Sequence, residues 1–585
     1  MTATVDTKTT PWANTPYFSV RRVVLRNDGQ FGVVFKDPDT STFREILAQV
    51  KDIPGAQFEG ASKSWIVPAT PHAVQKFQVF LKTHGFKVPP DAQAKIMEHV
   101  GRIEEVRQNL AGSHAMDAEI DVHGLGGELR HFQRAGVAYA VRNKRVMIAD
   151  DMGTGKTIQA LATCQAIGAF PAVVVCPASL KINWYREAIK WLPGKRVSLW
   201  DAKGGWPGDV MIINYDVLLK QVASLRARAP KAVIFDESHY LKSRKAKRTN
   251  AAQELTLNVD VRLCLSGTPI LNRPEELVTQ LELLGRLEEF GGWWRFVRRY
   301  CGAHRGRFGM DTSGARNLEE LNERLRATCF IRRRKADVLK ELPPKQRSVV
   351  PLEIDNRSEY QKAEQDLIRW LREQAAKEEG DLLASAAERA AQTEADIARK
   401  MQAEQLVRIQ ALKRLAARGK MEGVVEWVTD FMESGEKLVI FAHHVEIVEE
   451  LGRRFKAPII TGQTDLTARQ SAVDRFQRDP ACKVIALNLQ AGGVGLTLTA
   501  ASNVAFVELG WNPAIHDQAE DRCHRIGQED QVTAWYLLAE KTIDEQIQSL
   551  IDAKRVVVTA ATDGEAPTGE GSIMEDLIKT LKEDR

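Results

Sequence analysis

The chain has 585 residues, 44% of them hydrophobic and 27% charged, with a net charge of +5 and a pI of about 8.7. One hydrophobic core does not serve that length, so three or four folding units are expected, and the mild basicity favours an anionic partner without identifying it. Seven cysteines without a CxxC pair exclude a disulfide framework or zinc ribbon, no apolar run approaches the roughly 18 to 20 residues of a membrane span, and the N-terminus lacks a secretory signal pattern.

Residues 1–95 read as a small α+β module. RRVVLR and FGVVF predict strands, QFEGASKSWIV a further strand, and PHAVQKFQVFLKTHGF an amphipathic helix, with VPPDA closing the unit. Residues 96–127 predict a charged helical connector that ends in a Gly-containing stretch. Over 128–285 the texture changes: VMIAD, AVVVCP, VMIIN, AVIFDE and LCLSGTP alternate with helical patterns. Such apolar runs, each ending in a polar or Gly-containing turn, predict buried parallel strands with crossover helices. The same texture returns over 431–560 in KLVIFAHH, PIITG, KVIALN and NVAFVE. Between the two blocks lie a basic, aromatic region (286–355) and a stretch rich in Ala, Glu, Gln, Arg and Lys (356–430). The latter suits long helices, most simply a solvated hairpin. Residues 561–585 predict a flexible tail running into a short charged helix.

The strongest chemistry lies in VMIADDMGTGKT. A strand ending at Ala149 leads into a turn with Gly153, Thr154 and Gly155, and Lys156-Thr157 opens a helix. Glycines let backbone N–H groups converge on a polyphosphate, and the helix N-terminus adds partial positive charge. Lys156 is placed for the β- and γ-phosphates of ATP, and the Thr157 hydroxyl for Mg2+. The first Gly of the usual GxxxxGK[ST] pattern is Asp150 here. KAVIFDESH supplies the second half of the site: Asp236 for the Mg2+ shell and Glu237 to orient and deprotonate water. Alone, such a pair is an ordinary solvated strand end; following a Lys-Thr loop, it reads as catalytic.

The ordered set LRHFQ, DMGTGKT, CPASLKINW, DESH, LSGTPILN, ALNLQAGGVGLTLT and DQAEDRCHRIGQ resembles the Swi/Snf-type DNA-dependent ATPases of helicase superfamily two, across residues 128 to 555. That family's loop also lacks the first Gly. The resemblance implies an α/β protein with two RecA-like parallel-sheet lobes: 128–285 as the ATP-binding lobe 1 and 431–560 as lobe 2. It further implies a helical protrusion and interlobe brace at 286–355, a helical insertion of lobe 2 at 356–430, and double-stranded DNA across both lobes. It assigns Gln133 to the adenine edge, and Gly495, Gln518, Arg522 and Arg525 to the nucleotide from the second lobe. The two arginines, at i and i+3 of a predicted helix, would share one face.

Contacts to the DNA backbone are expected from loops in both lobes. Ser179 is placed to cap a helix and free the amides near Leu180 and Lys181 for a phosphate. Thr268, Thr461-Gly462, Gly492 and Gly493 are the matching candidates. Two basic clusters stand out: Arg295, Arg298, Arg299, Arg305 and Arg307 among aromatics, and Arg332, Arg333, Arg334 and Lys335 before PPK. The first reads equally as DNA track or structural helix, the second as the interlobe brace. IPGAQFEGASKSWIVP resembles the HARP-like domain of annealing helicases, which would recognise branched DNA and add single-strand-binding protein to the partners. A small adaptor with a packed Trp65 is the alternative.

Three functions follow. The first is an ATP-driven translocase on duplex DNA that rewinds or remodels DNA structures, or displaces bound proteins, without strand separation. The second is a strand-separating DNA or RNA helicase using the same ATP site, which the inserted helical segments and the HRIGQ sequence disfavour. The third, a scaffold that has lost catalysis, conflicts with the presence of Lys156, Asp236, Glu237, Arg522 and Arg525. The expected setting is intracellular and soluble, with no membrane partner: cytoplasm or nucleoid of a bacterial or virus-infected cell, or a eukaryotic nucleus.

Overall fold

The β-branched and aromatic residues of RRVVLR and FGVVF form an antiparallel pair, β1 (Val20–Leu25) and β2 (Phe31–Lys36), joined by a turn in which Gly29 takes φ +77°. The computed structural model describes residues 19–563 and 577, except 242, 245, 268, 270–273, 307–308, 313, 384–390 and 493–495. By contacts the chain divides into two units, 1–111 and 112–585.

In the first unit QFEGASKSWIV is two strands rather than one. β3 (Gln57–Glu59) and β4 (Ser64–Val67) pair as a hairpin turned at Lys63, whose φ is +48°, and complete the sheet order β1-β2-β4-β3. Helices Thr40–Lys51 and Pro71–Thr83 contribute Ile46, Val50, Val74 and Phe77 to a core with Phe31, Val33 and Val67. The former was hidden in a polar stretch; its signal is Asp39, whose carboxylate accepts from the amides of Ser41 and Thr42. The helix predicted as a connector begins earlier, at Pro90, and its Ala92 and Ile96 belong to this core.

The second unit holds two wholly parallel sheets. The first contains β5 (Arg145–Ile148), β6 (Ala172–Cys176), β7 (Val197–Leu199), β8 (Val210–Asn214), β9 (Ala232–Asp236) and β10 (Val261–Leu265). Every residue of β6, β8 and β9 is buried, which explains their unbroken apolar sequences. A small hairpin follows, β11 (His304–Gly306) and β12 (Gly309–Asp311), and then β13 (Phe330–Ile331) returns to the sheet beside β5. The order is β13-β5-β10-β9-β6-β8-β7. One strand, β10, thus separates the phosphate-loop strand from the acidic strand, placing their C-terminal ends about 10 Å apart. Loops after β5, β9 and β10 open on one edge, where ligands of parallel sheets bind.

The second sheet has the order β14-β19-β18-β15-β17-β16: β14 (Lys345–Leu352), β15 (Leu438–Ala442), β16 (Ile459–Ile460), β17 (Val484–Asn488), β18 (Asn503–Phe506) and β19 (Val532–Ala539). Region 286–355 is therefore not only helical: it gives an edge strand to each sheet. β14 pairs with β19 along its whole length, and its position at the sheet edge accommodates Pro351. The long helices Arg357–Leu383 and Ala391–Gly419 bury Tyr360, Leu367, Leu371, Ile409 and Leu412 in the second lobe's core. Their bases are structural, not a solvated hairpin. Among the described residues no helix is long and apolar enough to cross a membrane.

Candidate nucleotide cleft between the lobes

The loop after β5 meets helix Lys156–Ala166 through two glycines in the left-handed region, Gly153 (φ +78°) and Gly155 (φ +86°). Neither tolerates a side chain. A Cβ on Gly153 would lie 2.5 Å from Cβ of Arg525, and one on Gly155 2.4 Å from Nε2 of Gln133. Gln133 spends its amide on this loop: Nε2 donates to Thr154 O at 2.9 Å, and Oε1 accepts from Arg130 N at 3.0 Å. The Thr154 hydroxyl donates to Asp151 O, and Nζ of Lys156 donates to the carbonyls of Asp150 (2.9 Å) and Asp151 (3.1 Å). Burial pulls the Lys156 pKa down; Glu237, Asp150, Asp236 and Asp151 oppose that shift. Thr157 sits half-buried in the first turn of the helix.

Asp150, the departure from the usual loop pattern, has a physical account. Its carboxylate is fully buried and forms a two-pronged pair with Arg333, Nε to Oδ1 at 3.1 Å and Nη2 to Oδ2 at 2.8 Å. Gln159 Nε2 donates to the same Oδ2, and Arg333 also donates to Phe132 O. A glycine at position 150 would leave a guanidinium buried without its counter-charge. The sequence alone offered no sign that Arg333 closes on this loop.

At the end of β9, Asp236 Oδ2 accepts from the Trp184 indole at 2.6 Å and Oδ1 from Glu237 N at 3.0 Å, while the Tyr215 hydroxyl donates to its carbonyl. Glu237 adopts φ +49°, a region costing a non-glycine residue of order 1 kcal/mol or more. Its Oε2 is buried without a hydrogen-bond partner, 3.5 Å from His239 Nδ1. That imidazole nitrogen lies 3.1 Å from Ser266 Oγ, directly after β10. Burial, then the Glu237 charge, raises the Asp236 pKa. Burial raises that of Glu237 too, against Lys156 and Arg522.

The second lobe corrects one expectation. Helix Pro513–Glu520, capped by Asn512, stops at Glu520, and residues 521–527 form successive tight turns. Arg522 and Arg525 therefore share no helix face. Arg522 is buried and Arg525 half-buried. Arg522 neighbours Glu237 and Asp236, and burial lowers its pKa to about 10 with Glu237 opposing. Arg525 Nη1 donates to Thr497 Oγ1 at 2.9 Å while its backbone packs on Gly153. Gln518 is buried near the end of the helix. Behind these turns, the wholly buried Glu520 binds Lys345 (2.6 Å), Arg347 (2.7 and 2.8 Å) and the Tyr536 hydroxyl (2.8 Å). Lys345 and Arg347 lie on β14, Tyr536 on β19. None of the three carried a motif.

The loops expected to meet DNA are more varied. Ser179 does not cap a helix: it lies within a 3₁₀ turn, Ala178–Leu180, and the following helix, Lys181–Trp191, has Leu180 at its cap with no side-chain bond. Lys181 is buried, and its Nζ donates to Trp200 O at 2.6 Å, so its ammonium points inward. Thr461 is also buried; its amide donates to Thr464 Oγ1, and its hydroxyl accepts from Gln463 N. Gly492 ends a four-residue helix, Leu489–Gly492. Thr268, Gly493, Gly495 and Arg307 lie outside the described residues. Helix Gly292–Tyr300 buries Phe296, Val297 and Tyr300 and exposes Trp294, Arg295, Arg298 and Arg299, the last paired with Glu320 at 2.6 Å. Arg305 is exposed on β11. Arg332 faces the cleft: Nη1 donates to Ala149 O and Gly267 O, and Nη2 lies 3.2 Å from Asp151 Oδ1.

This combination, a glycine-lined loop and a strand-end carboxylate pair in one parallel-sheet lobe with two arginines offered by another, matches known families. The SNF2-related domain matches residues 132–406, and the helicase conserved C-terminal domain 419–527. The chain belongs to the Swi/Snf-related ATPases of helicase superfamily two. It is 31% identical to the "SWI/SNF-related matrix-associated actin-dependent regulator of chromatin subfamily A-like protein 1 homolog" of Caenorhabditis elegans, over 92% of this chain and 74% of that one. The "SWI/SNF-related matrix-associated actin-dependent regulator of chromatin subfamily A-like protein 1" of Xenopus tropicalis is 36% identical over 78% of this chain and 47% of its own. The "DNA annealing helicase and endonuclease ZRANB3" of Homo sapiens is 33% identical over 75% and 41%. The chain spans about half the length of the Xenopus relatives it matches. Among solved structures, the "Sulfolobus solfataricus SWI2/SNF2 ATPase core in complex with dsDNA" is 23% identical over 76% of this chain and 95% of that one, with a TM-score of 0.36.

Proposed function

We propose that the chain is an ATP-hydrolysing translocase on double-stranded DNA that rewinds or remodels DNA structures or displaces bound proteins, without classical strand separation. One observation supports the reading: Arg522 of the second lobe lies near enough to Glu237 and Asp236 of the first for their charges to act on each other, so a hydrolytic site would be complete only when both lobes contribute. Lys156 would hold the β- and γ-phosphates, Glu237 would take the proton of the attacking water, and Arg522 and Arg525 would stabilise charge in the transition state. Gln133, Gly153, Thr154 and Gly155 would shape the loop around ATP, with Gly495 and Gln518 on the opposite side. Among the described residues no cluster of three or more His, Cys, Asp or Glu forms a metal cage. Mg2+ needs none, because it binds through one or two protein ligands, waters and substrate phosphates. Thr157 and Asp236 suit it, and the ion would offset charge on the phosphates.

DNA contacts are assigned to the loop amides around Ser179 and Lys181, to Thr268, Thr461, Gly492 and Gly493, and to the exposed face of helix Gly292–Tyr300. Backbone contacts imply little sequence preference and steep salt dependence. The human relative is named as an annealing helicase, which supports rewinding. The module at 1–95 would then read branched DNA, with single-strand-binding protein met on coated substrates. The test is ATP turnover on linear duplex, single-stranded, forked and four-way DNA, with and without residues 1–111. Duplex should stimulate strongly, and the truncated chain should lose preference for forks and annealing of a coated bubble. Stimulation by RNA over DNA, or unwinding of a blunt duplex, overturns the reading.

A further inference from the structure

Between the lobes, the chain crosses the cleft at a residue bonded to both sides. Lys335 opens the short helix Lys335–Val338, immediately after the three arginines. Its backbone N–H donates to Asp151 Oδ2 at 2.9 Å, which fixes its main chain to the phosphate loop. Its side chain runs the other way. Nζ donates to His524 O at 2.6 Å and lies 2.8 Å from Asp521 Oδ1, inside the turns that carry Arg522 and Arg525. The residue is 7% exposed, so little solvent competes for these bonds. Both anchors are themselves held: Asp151 by Arg332 at 3.2 Å, and Asp521 by Lys345 at 3.2 Å.

We propose that Lys335 is a positioning residue that sets the distance of Arg522 and Arg525 from the phosphate loop. The segment between the lobes then acts as a strut of fixed length, and alignment of the arginines depends on it as well as on the nucleotide. The inference rests on the ATPase reading above. Placement matters because a misfit of about 1 Å at a reacting centre costs on the order of a hundred-fold in rate. The turns after Glu520 are irregular, so no helix carries the arginines rigidly from the lobe behind them. Lys335 supplies the tie that a helix would have given.

Lys335→Met tests this, because it keeps the apolar stem and leaves Asp521 with Lys345, so the turns stay folded. Lys345→Met is the control: from β14 it disturbs Asp521, the carboxylate Lys335 also holds, and Glu520 behind it, without touching the phosphate loop. Turnover with duplex DNA in Lys335→Met should fall about 10- to 100-fold, with ATP affinity within about three-fold of the parent. Placed on a variant lacking both arginines (Arg522→Ala with Arg525→Ala), Lys335→Met should add less than about three-fold, because residues acting as one unit are not additive. A second readout needs no hydrolysis. Nitroxide labels on cysteines introduced in place of Arg186 and Asp474, whose native side chains lie 3.9 Å apart across the lobes, report lobe separation; the seven endogenous cysteines are buried. The label distance should be short and narrow in the parent and in Lys345→Met, and longer or broader in Lys335→Met. Multiplicative losses on the variant lacking both arginines, or an unchanged distance in Lys335→Met, overturn the proposal. If Arg525→Ala costs no turnover, the ATPase reading of that arginine fails, and the label distance still decides whether Lys335 is a strut.

Discussion

In the first lobe, the groups facing the cleft ride on strand ends: Lys156 after β5, Asp236 closing β9, Ser266 after β10. The hydrogen bonds of a buried parallel sheet fix them, and covalent neighbours do the rest. In the second lobe, Arg522 and Arg525 occupy turns, and what holds them is charge: Glu520 and Asp521 against Lys335, Lys345 and Arg347. The first half of the site is thus held within its own sheet, whereas the second is only as well placed as its ionic scaffold. If so, substitutions in the first half should remove chemistry, and substitutions in the second should remove alignment.

The largest effect is expected in the first half. Lys156→Ala should lower turnover by about a thousand-fold or more, since charge on the transferring phosphoryl group loses its compensation. Glu237→Gln should turn over as slowly while still binding a fluorescent ATP analogue. Near-normal hydrolysis by Glu237→Gln removes the carboxylate from the chemistry. Next come the arginines. Arg522→Ala and Arg525→Ala should lower turnover on the order of a hundred- to a thousand-fold with ATP affinity nearly intact. The Glu237 charge acts on Arg522, while Arg525 is tied to Thr497, so the former should lose more. Arg525→Lys should rescue poorly, because an ammonium does not reproduce the planar fork. Equal losses in affinity and turnover would make these turns a binding surface instead.

The scaffold itself gives a smaller effect. Glu520→Gln strips a buried carboxylate from Arg347, Lys345 and Tyr536. Breaking one partner of such a cluster costs on the order of 3 kcal/mol, and thermal unfolding should show it. Asp150→Asn against Arg333 makes the matching change in the first lobe. The comparison sharpens on the arginines: Glu520→Gln should weaken Arg522-dependent turnover at temperatures where the chain is still folded. Turnover unchanged up to the melting transition would separate scaffold from alignment.

Legibility followed the same division. An apolar run ending in GTGKT or DESH is visible because strand and site are contiguous, so β5, β9, Lys156 and Asp236 could be read directly. β14 and β19 were not read, because β14 (KQRSVVPL) shows no alternation and their pairing joins segments nearly two hundred positions apart. The role of Arg333 was hidden for the same reason: Asp150 looked like a lost glycine until its partner, far along the chain, lay against it. Arg522 and Arg525 were found through resemblance, but their spacing suggested a helix that stops one turn too early. The sequence does contain a reason. Asp521 is drawn off by Lys335 and Lys345 where a helix would continue, and such long-range charge pairs leave no periodic trace.

The smallest prediction concerns stability, and here the first half of the cleft works against the fold. Asp236 and Glu237 are adjacent carboxylates, the first buried and the second largely so, and desolvation raises both pKa values, that of Asp236 to about 7. In an unfolded chain both would titrate near pH 4. Between the two values the folded state retains protons that the unfolded state has lost, so stability falls as pH rises through that window. Glu237→Gln removes one of the charges and leaves Lys156 with Asp236, Asp150 and Asp151 as anionic neighbours. Arg522 keeps Asp521 and Asp236. The variant should therefore melt higher than the parent at pH 8, by about 1–2 kcal/mol, or a few degrees. At pH 5 the parent carboxylates take up protons and the gap should shrink. Because the backbone at 237 stays at positive φ in both proteins, its strain cancels and the difference reports charge alone. A variant less stable than the parent at pH 8, or a gap that widens toward pH 5, would mean that Lys156 and Arg522 already neutralise Glu237 in the folded protein. The pair would then support the fold, and the first half of the cleft would be held by charge just as the second is.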